Sequence, residues 1–567
     1  MGGITFIVYT NQNVGMNFLK SFMKLKHRGA DNTCFVTEST QDIVNANVVL
    51  NQRVTSILSK SQLAAYQQHS FVYGYHHLAN LDASHDAMQP FNDPIVHKMS
   101  KYPELRMRPA RKMLCDGAVY NYLHLAPEFT DRDVQSESDL EIILPLYIRN
   151  GGGEVGLTTT LDQLDAAFSL VITENVNTFV LNEINTFVAR DHFGIKPLYY
   201  ITDNRSLWMF VSELKGIPQF IIANKQYMIR ELDPGSYWSF QTKSITNYYT
   251  PEYTPDINNT DPETINEIFT TLKDLLIKSV EKRCHSELPV GILLSGGFDS
   301  SIISSIVAHN LSEDSELHLF TVGDSLGSET LLDNHYAERC VQFLEKKFPK
   351  LKISFHDIHI NEMDVLIADL KDIIYTIETD DLKLIRKAIP MYFLSRYIRE
   401  HTDVRVLLTG DGLDELYNEN VITALRSKIF SIVDKIGSKF NLEMRFPYLN
   451  REFVEYHLRL SNLLKSPQIF DNTKRPIEKY LVRKAFDLGI EYLPREILWR
   501  SSKCVSHALT NFELRLQNHF EDFMSDQEFN MELNKLIFTT GSVTPKTKEE
   551  LVYKNLFEQL FGKRLYV

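Results

Sequence analysis

Val290-Gly291-Ile292-Leu293-Leu294-Ser295-Gly296-Gly297-Phe298-Asp299-Ser300-Ser301 is the stretch on which the reading of the fold turns. The apolar run Val290–Leu294 reads as a buried strand. A tight glycine turn follows at Ser295, Gly296 and Gly297, and Ser300 to Asn310 reads as a helix. That order makes an anion pocket. The two glycines let the backbone curl so that its N–H groups point inward, and the helix start adds partial positive charge. Asp299 sets a carboxylate where a magnesium ion bridging phosphates would need one. No Gly-Lys-Ser/Thr follows, so this is not the loop of ordinary NTPases. The plain alternative is a serine-glycine turn before a helix.

Around this stretch, strands and helices alternate. Strands are expected at Leu317–Val322, Lys352–His356 and Val404–Leu408, and helices at Asn266–Arg283, Asn334–Lys347 and Met391–Glu400. Such alternation argues a parallel sheet with helices on both faces, where ligands bind beyond the carboxyl ends of the strands. The Val404–Leu408 strand ends in Thr409-Gly410-Asp411-Gly412-Leu413-Asp414-Glu415. Two glycines there allow a second tight turn, and three acids follow. Asp299 and Asp414 could share a magnesium ion, and Asp411 could orient an amine or accept a proton. An acidic surface turn is the alternative.

The first 245 residues or so have another grammar. Short β-branched and aromatic runs lie at Ile4–Thr10, Phe71–Tyr75, Ala167–Thr173, Thr186–Arg190, Pro197–Thr202 and Trp208–Ser212. Helical stretches fall at Asn17–Lys26 and Ser138–Ile148. The expectation is stacked antiparallel sheets flanked by helices over 1–245, a polar linker over 246–265, and an α/β parallel-sheet domain over 266–567.

A chain of 567 residues is too long for one core. The formal net charge of −13 disfavours a general nucleic-acid binder, which needs clustered Lys and Arg. Cys34, Cys115, Cys284, Cys340 and Cys504 form no Cys-x-x-Cys pair, which argues against a zinc ribbon. An odd, scattered set suggests reduced thiols in a cytoplasmic compartment. The apolar start, Met1 to Thr10, lacks a basic lead-in and reads as a strand, and no apolar run is long enough to span a bilayer.

The Ser295–Ser301 loop resembles the pyrophosphate loop of enzymes that split ATP into AMP and pyrophosphate. With it come Phe320-Thr321-Val322-Gly323, Ile377-Glu378-Thr379-Asp380-Asp381 with Arg386, Pro390-Met391-Tyr392, the Gly410–Glu415 turn, Glu443-Met444-Arg445-Phe446-Pro447-Tyr448-Leu449, and Leu493-Pro494-Arg495-Glu496-Ile497-Leu498-Trp499-Arg500. Several motifs in one order are more specific than any one of them. Together they resemble the glutamine-dependent asparagine synthetase family along nearly the whole chain. The resemblance implies an ATP-dependent ligase that adenylates the side-chain carboxylate of aspartate, releases pyrophosphate, and passes the acyl group to ammonia. By matching position, Leu294, Ser295, Gly296, Gly297, Ser300, Val322, Thr409 and Gly410 would hold the nucleotide, with Asp299 and Asp414 on magnesium. Asp411 stands where the family has Glu, at the site tied to the intermediate. The family's Gly-Gly-Tyr is replaced by Asn418-Glu419-Asn420. Its active-site lysine falls at Ser502, with Lys503 one place later as the candidate substitute.

The first half resembles the type-2 glutamine amidotransferase domain, through His27-Arg28-Gly29-Ala30-Asp31, Arg190–Tyr199, Ser212-Glu213-Leu214-Lys215 and Pro234-Gly235-Ser236. Its chemistry is missing parts. Gly2 stands in place of the nucleophilic cysteine, His77 in place of the arginine that grips the glutamine carboxylate, and Asp116-Gly117-Ala118 in place of Asn-Gly-Glu. Asp139 alone keeps its expected identity. The expectation is a domain that keeps its fold without glutaminase activity. Partners are then aspartate and free ammonia, with glutamine the weaker candidate; nucleic acid and membrane are not expected, and a homodimer is allowed. Two rivals remain: an AMP-forming ligase on another carboxylate, similar to the β-lactam synthetases, and a non-catalytic ATP-binding relative.

Overall fold

The computed structural model describes residues 2–9, 15–29, 32–38, 47–49, 71–77, 89–93, 110–130, 133–175, 184–203, 207–258, 261–324, 331–360, 367–469, 476–500, 506–539 and 544–562. The chain divides into two compact units. One holds 1–250 together with 430–441 and 558–567; the other holds 251–429 and 442–557. The two short segments that join the first unit come from the second half of the sequence, where no boundary was expected.

The first unit stacks two antiparallel sheets. The seven-stranded sheet runs Met228–Glu231, Tyr199–Thr202, Leu207–Val211, Gly2–Tyr9, Phe71–His77, Asn32–Glu38, Asn47–Val49. The six-stranded sheet runs Ser244–Asn247, Ser236–Ser239, Ile184–Arg190, Ala166–Asn175, Ala110–Val119, Phe91–Asn92. Between them Ile4, Phe6, Tyr73, Tyr75 and Phe210 pack on Leu114, Val171, Val188 and Trp238. The period-two alternation of a strand explains the other face. Met113 and Cys115 point away from Leu114, into a core shared with Ile143, Tyr147, Leu157 and Leu161 of two helices. Asp116 is thereby on the inter-sheet side, one strand step past Leu114.

Several expected boundaries shift. The helix expected over Ser138–Ile148 spans Ile143–Arg149. Asp139 and Glu141 are tied up before it: Asp139 accepts from the Val119 amide at 2.5 Å, and Glu141 accepts from the Ser136 amide at 2.8 Å. These bonds hold the chain in turns. Asn17–Lys26 resolves into an α-helix Gly15–Phe22 and a 3-10 stretch Met23–Arg28. The helix expected at Met391–Glu400 extends over Leu382–His401, capped by Asp381 and passing through Pro390.

In the second unit the five-stranded sheet is wholly parallel, in the order Lys352–Ile360, Glu316–Asp324, Val290–Leu293, Val406–Leu408, Glu443–Arg445, and a small antiparallel pair joins Gln468–Ile469 to Pro476–Ile477. The first strand in sequence is central, and later strands are added on one side and then on the other. The order reverses between Val290–Leu293 and Val406–Leu408, and a crevice opens beyond the carboxyl ends at such a switch point. Both glycine turns leave from there. The stretch expected as a linker over 246–265 is shorter, since the strand Ser244–Asn247 and the helix Pro262–Cys284 take its two ends, and it is tied down part-way by the Ile257 amide, which donates to the Arg459 carbonyl at 3.0 Å. Among the described residues no helix is long and apolar enough to cross a membrane.

Candidate active site

The central strand ends with the Leu294 amide bonded to the Phe320 carbonyl at 2.7 Å. Ser295 then begins the turn. Its hydroxyl lies 3.0 Å from that of Ser300, and its amide donates to Ser300 Oγ at 3.1 Å, so the loop is closed on the first turn of the helix behind it. Gly296 takes φ +74°, a left-handed conformation that favours glycine. Gly297 is an ordinary extended residue at φ −75°, so the sharp bend rests on one glycine, not two. The helix runs Phe298–Asn310, starting two residues before the expected Ser300, with no side chain capping it. Arg500 donates to the Gly296 carbonyl at 2.9 Å, and its guanidinium lies 4.0 Å from the centre of the Tyr336 ring.

The second turn meets the first. A Cβ on Gly410 would stand 3.0 Å from the Ser300 amide nitrogen and 3.3 Å from the Asp299 carbonyl carbon. Any larger residue there would push the two loops apart by a few tenths of an ångström. Gly412 takes φ +112°, and its amide donates to the Glu415 carboxylate at 3.0 Å. Asp299 and Asp414 then converge on one cation: Lys479 Nζ lies 2.5 Å from Asp299 Oδ2 and 2.5 Å from Asp414 Oδ1. The other oxygen, Asp299 Oδ1, is buried without a hydrogen-bond partner. Burial pushes the Asp299 carboxyl up, with Lys479 pulling it back. Burial also works against the Lys479 ammonium, but the two carboxylates outweigh it and hold it above its ordinary value. Asp411 is bonded by the Thr409 hydroxyl. Burial raises its carboxyl, against that bond.

In the first unit, Gly2 meets Asp116, while Asp139 is bonded to the Val119 amide of the strand that carries Asp116 and Gly117. The Gly2 amide donates to Asp116 Oδ1 at 2.9 Å. The other carboxylate oxygen takes Arg28 at 2.8 Å, and Arg28 further pairs with Glu213 at 2.8 Å and Asp434 at 2.7 Å. Lys196 bonds Asp434 at 2.6 Å and Lys215 bonds Glu213 at 2.5 Å. Three cations are thus matched to three anions, all buried. No room is left at Gly2. A Cβ there would stand 2.2 Å from the His76 carbonyl oxygen and 2.4 Å from Cε2 of the Tyr75 ring. Gly117 is equally hemmed in, 2.0 Å from the Ala167 carbonyl oxygen by the same measure. Ala118 is buried in the same strand. The His77 backbone pairs with Gly2 across the sheet.

The sequence matches the asparagine synthase family over residues 271–418 and 420–566, and the glutamine amidotransferase domain family over 60–244. It is 28% identical to a probable glutamine-hydrolyzing asparagine synthetase of Acanthamoeba polyphaga mimivirus, over 100% of this chain and 95% of that one. A probable enzyme of the same name from Schizosaccharomyces pombe is 30% identical over 79% of this chain and 81% of its own. The glutamine-hydrolyzing asparagine synthetase of Homo sapiens is 26% identical over 87% and 86%. The chain belongs to the asparagine synthase family. It is an ATP-using carbon–nitrogen ligase of the asparagine synthetase type.

Within this family member, Ser295, Gly296, Asp299, Ser300, Gly410 and Asp414 gather at the switch point, as the sequence suggested, with Leu294 and Thr409 at the strand ends. Val322 lies on the neighbouring strand Glu316–Asp324. Lys503 falls outside the described residues, as does the side chain of His77. Three residues hold places at the site to which the sequence reading gives no role. Lys479 stands alone before a helix, in no recognisable motif. Arg500 closes the Trp499-Arg500 motif, whose residue types give it no role on their own. Tyr448 donates its hydroxyl to the Asp299 carbonyl at 3.0 Å, a contact across 149 residues of sequence. A magnesium ion fits the donor set: the carboxylates of Asp299 and Asp414, with Asp299 Oδ1 buried and unpartnered, make a hard, incomplete oxygen site of the kind that phosphates complete.

Proposed function

We propose that the chain makes asparagine from aspartate, with ATP and free ammonia as co-substrates. The aspartate side-chain carboxylate attacks the α-phosphorus of ATP, the bond to the β-phosphate oxygen breaks, and pyrophosphate leaves. Ammonia then adds to the acyl carbonyl of β-aspartyl-AMP, loses a proton, and AMP departs. The observation that carries this reading is the meeting of Asp299 and Asp414 beside the Ser295–Ser300 loop. The loop and the helix start favour the phosphates. Magnesium, when bound to Asp299 and Asp414, would neutralise phosphate charge. Asp411 would orient the amine or take the proton, and Lys503 is the candidate to offset charge developing on phosphate or carbonyl.

The ammonia reading rests on the crowding at Gly2. A nucleophile there has neither a side chain nor space for one. Asp116, where the family has an amide donor, is an acceptor engaged by Arg28 and the Gly2 amide. The test is pyrophosphate release from ATP and aspartate, with ammonium in one series and glutamine in the other. Turnover with ammonium alone is expected. Turnover with glutamine would sink the nitrogen assignment, and turnover with other acids but not aspartate would move the chain to the ring-closing relatives.

A further inference from the structure

We infer that Lys479 is a tethered stand-in for the metal: its ammonium fills the gap between Asp299 and Asp414 until nucleotide arrives, so that metal binding waits for ATP. This rests on the proposal that those two acids are metal ligands. Two carboxylates converging on one point repel each other unless a cation lies between them. Here that cation is an ammonium 2.5 Å from each, on a side chain only 4% exposed. A divalent ion has to displace it, and the competition favours the tether. The amine is held at a high local concentration by its own chain, whereas magnesium sheds its water reluctantly and gains only two carboxylates in exchange.

A triphosphate changes both sides of this balance. Its oxygens complete the metal's coordination, and they give the displaced ammonium new anions to pair with. The lysine is built for such an exchange. Its four-carbon stem is flexible, and its backbone is left-handed at φ +59°, immediately ahead of the helix Tyr480–Asp487. The surroundings remain charged when it leaves. The Arg483 guanidinium, 4.5 Å from the centre of the Phe298 ring, stays beside the loop.

Direct manganese binding, followed by the loss of the free-ion electron paramagnetic resonance signal, tests this on the full chain without turnover. The wild type should bind manganese weakly alone and tightly with the α,β-methylene analogue of ATP. Lys479→Gln should bind manganese without nucleotide at least about tenfold more tightly than the wild type, the size expected for removing one competing charge-assisted contact. Lys479→Arg, which keeps a cation, should stay near the wild type. The gain should vanish in the Asp299→Asn, Lys479→Gln double variant. Equal affinity of Lys479→Gln and the wild type would overturn the stand-in role while leaving the metal ligands untouched. A gain that survives Asp299→Asn would place the metal elsewhere and overturn both. Loss of nucleotide-dependent binding in Asp299→Asn alone marks the ligand reading as sound whichever way Lys479 falls. Circular dichroism of each variant separates these outcomes from misfolding.

Discussion

The two units each set a glycine at a strand end beside a buried carboxylate, and they use it in opposite ways. In the second unit, Gly296 and Gly410 bring two loops together around acids that are incompletely matched. Burial holds Asp299, Asp411 and Glu415 above the ordinary carboxyl range. In the first unit, Gly2 and Gly117 mark places where backbone and ring already occupy the space. Burial opposes the charges there too, but Lys196 and Arg28 hold Asp434 below its ordinary value, and His27 and Lys215 do the same for Glu213. On the proposed reading, the acids awaiting a ligand belong to the working site and cost stability, while the cluster whose charges are answered serves as a structural joint.

The sharpest way to break this contrast is to remove one acid from each. Asp299→Ala should cut ammonium-dependent turnover by about three orders of magnitude, by loss of a metal ligand and its electrostatic support. Its fold should remain. More than a tenth of wild-type activity would end the assignment of Asp299 to the machinery. Asp434→Ala should do the reverse. It strands Arg28 and Lys196 in a buried setting, and breaking such a cluster costs about 3–5 kcal/mol, read from urea midpoints. The sign with pH follows from the depressed carboxyl of Asp434. Its contribution is complete above the unfolded carboxyl value of about 4 and is lost as pH falls through the lower folded value. The gap between wild type and variant should therefore be constant at neutral pH and close only in acid.

Gly2→Cys asks whether the first pocket can be reopened by its missing nucleophile. The thiol would have to displace the His76 carbonyl or the Tyr75 ring. Overpacking of this kind costs about 1–3 kcal/mol, and glutamine hydrolysis should stay at background. Hydrolysis above background would show that the closure around Gly2 yields, and with it the ammonia assignment.

Much of this contrast was legible beforehand, and the reasons are local. The Val290–Ser301 stretch announced itself because an apolar strand, a glycine and a helix start are all near-neighbour features. The Gly410–Glu415 turn was visible for the same reason, and its acids were placed beside the first loop by the parallel topology alone. The strand Ala110–Val119 was not foreseen. It opens Ala-Arg-Lys and carries Asp-Gly, which reads as a surface turn. Its charges are answered instead by partners far along the chain, Arg111 by Glu174 at 2.6 Å and Asp116 by Arg28 at 2.8 Å. Lys479 was missed on the same grounds, being 180 residues from Asp299. Asp434 sits in a helix whose pattern gives no sign that it joins the first unit.

The smallest expected effect is the most discriminating, because activity and stability should move apart. Asp411 is hydrogen-bonded by the neutral Thr409 hydroxyl, and burial outweighs that bond and the pull of Lys387, with Asp414 adding to the rise. Burial raises its carboxyl above the unfolded value, so at neutral pH the ionised form is a burden on the fold that disappears as pH falls through the raised value. Asp411→Asn keeps an acceptor for the Thr409 hydroxyl and removes the charge. Turnover should fall sharply, while the melting temperature at pH 8 should rise by about 1–2 °C, roughly what 1 kcal/mol does in a unit of this size. The rise should shrink as pH falls through the raised value of the wild-type acid. A melting temperature that drops instead would mean Asp411 is held by compensating charge as Asp434 is, and the division between a waiting site and a finished joint would lose its clearest member.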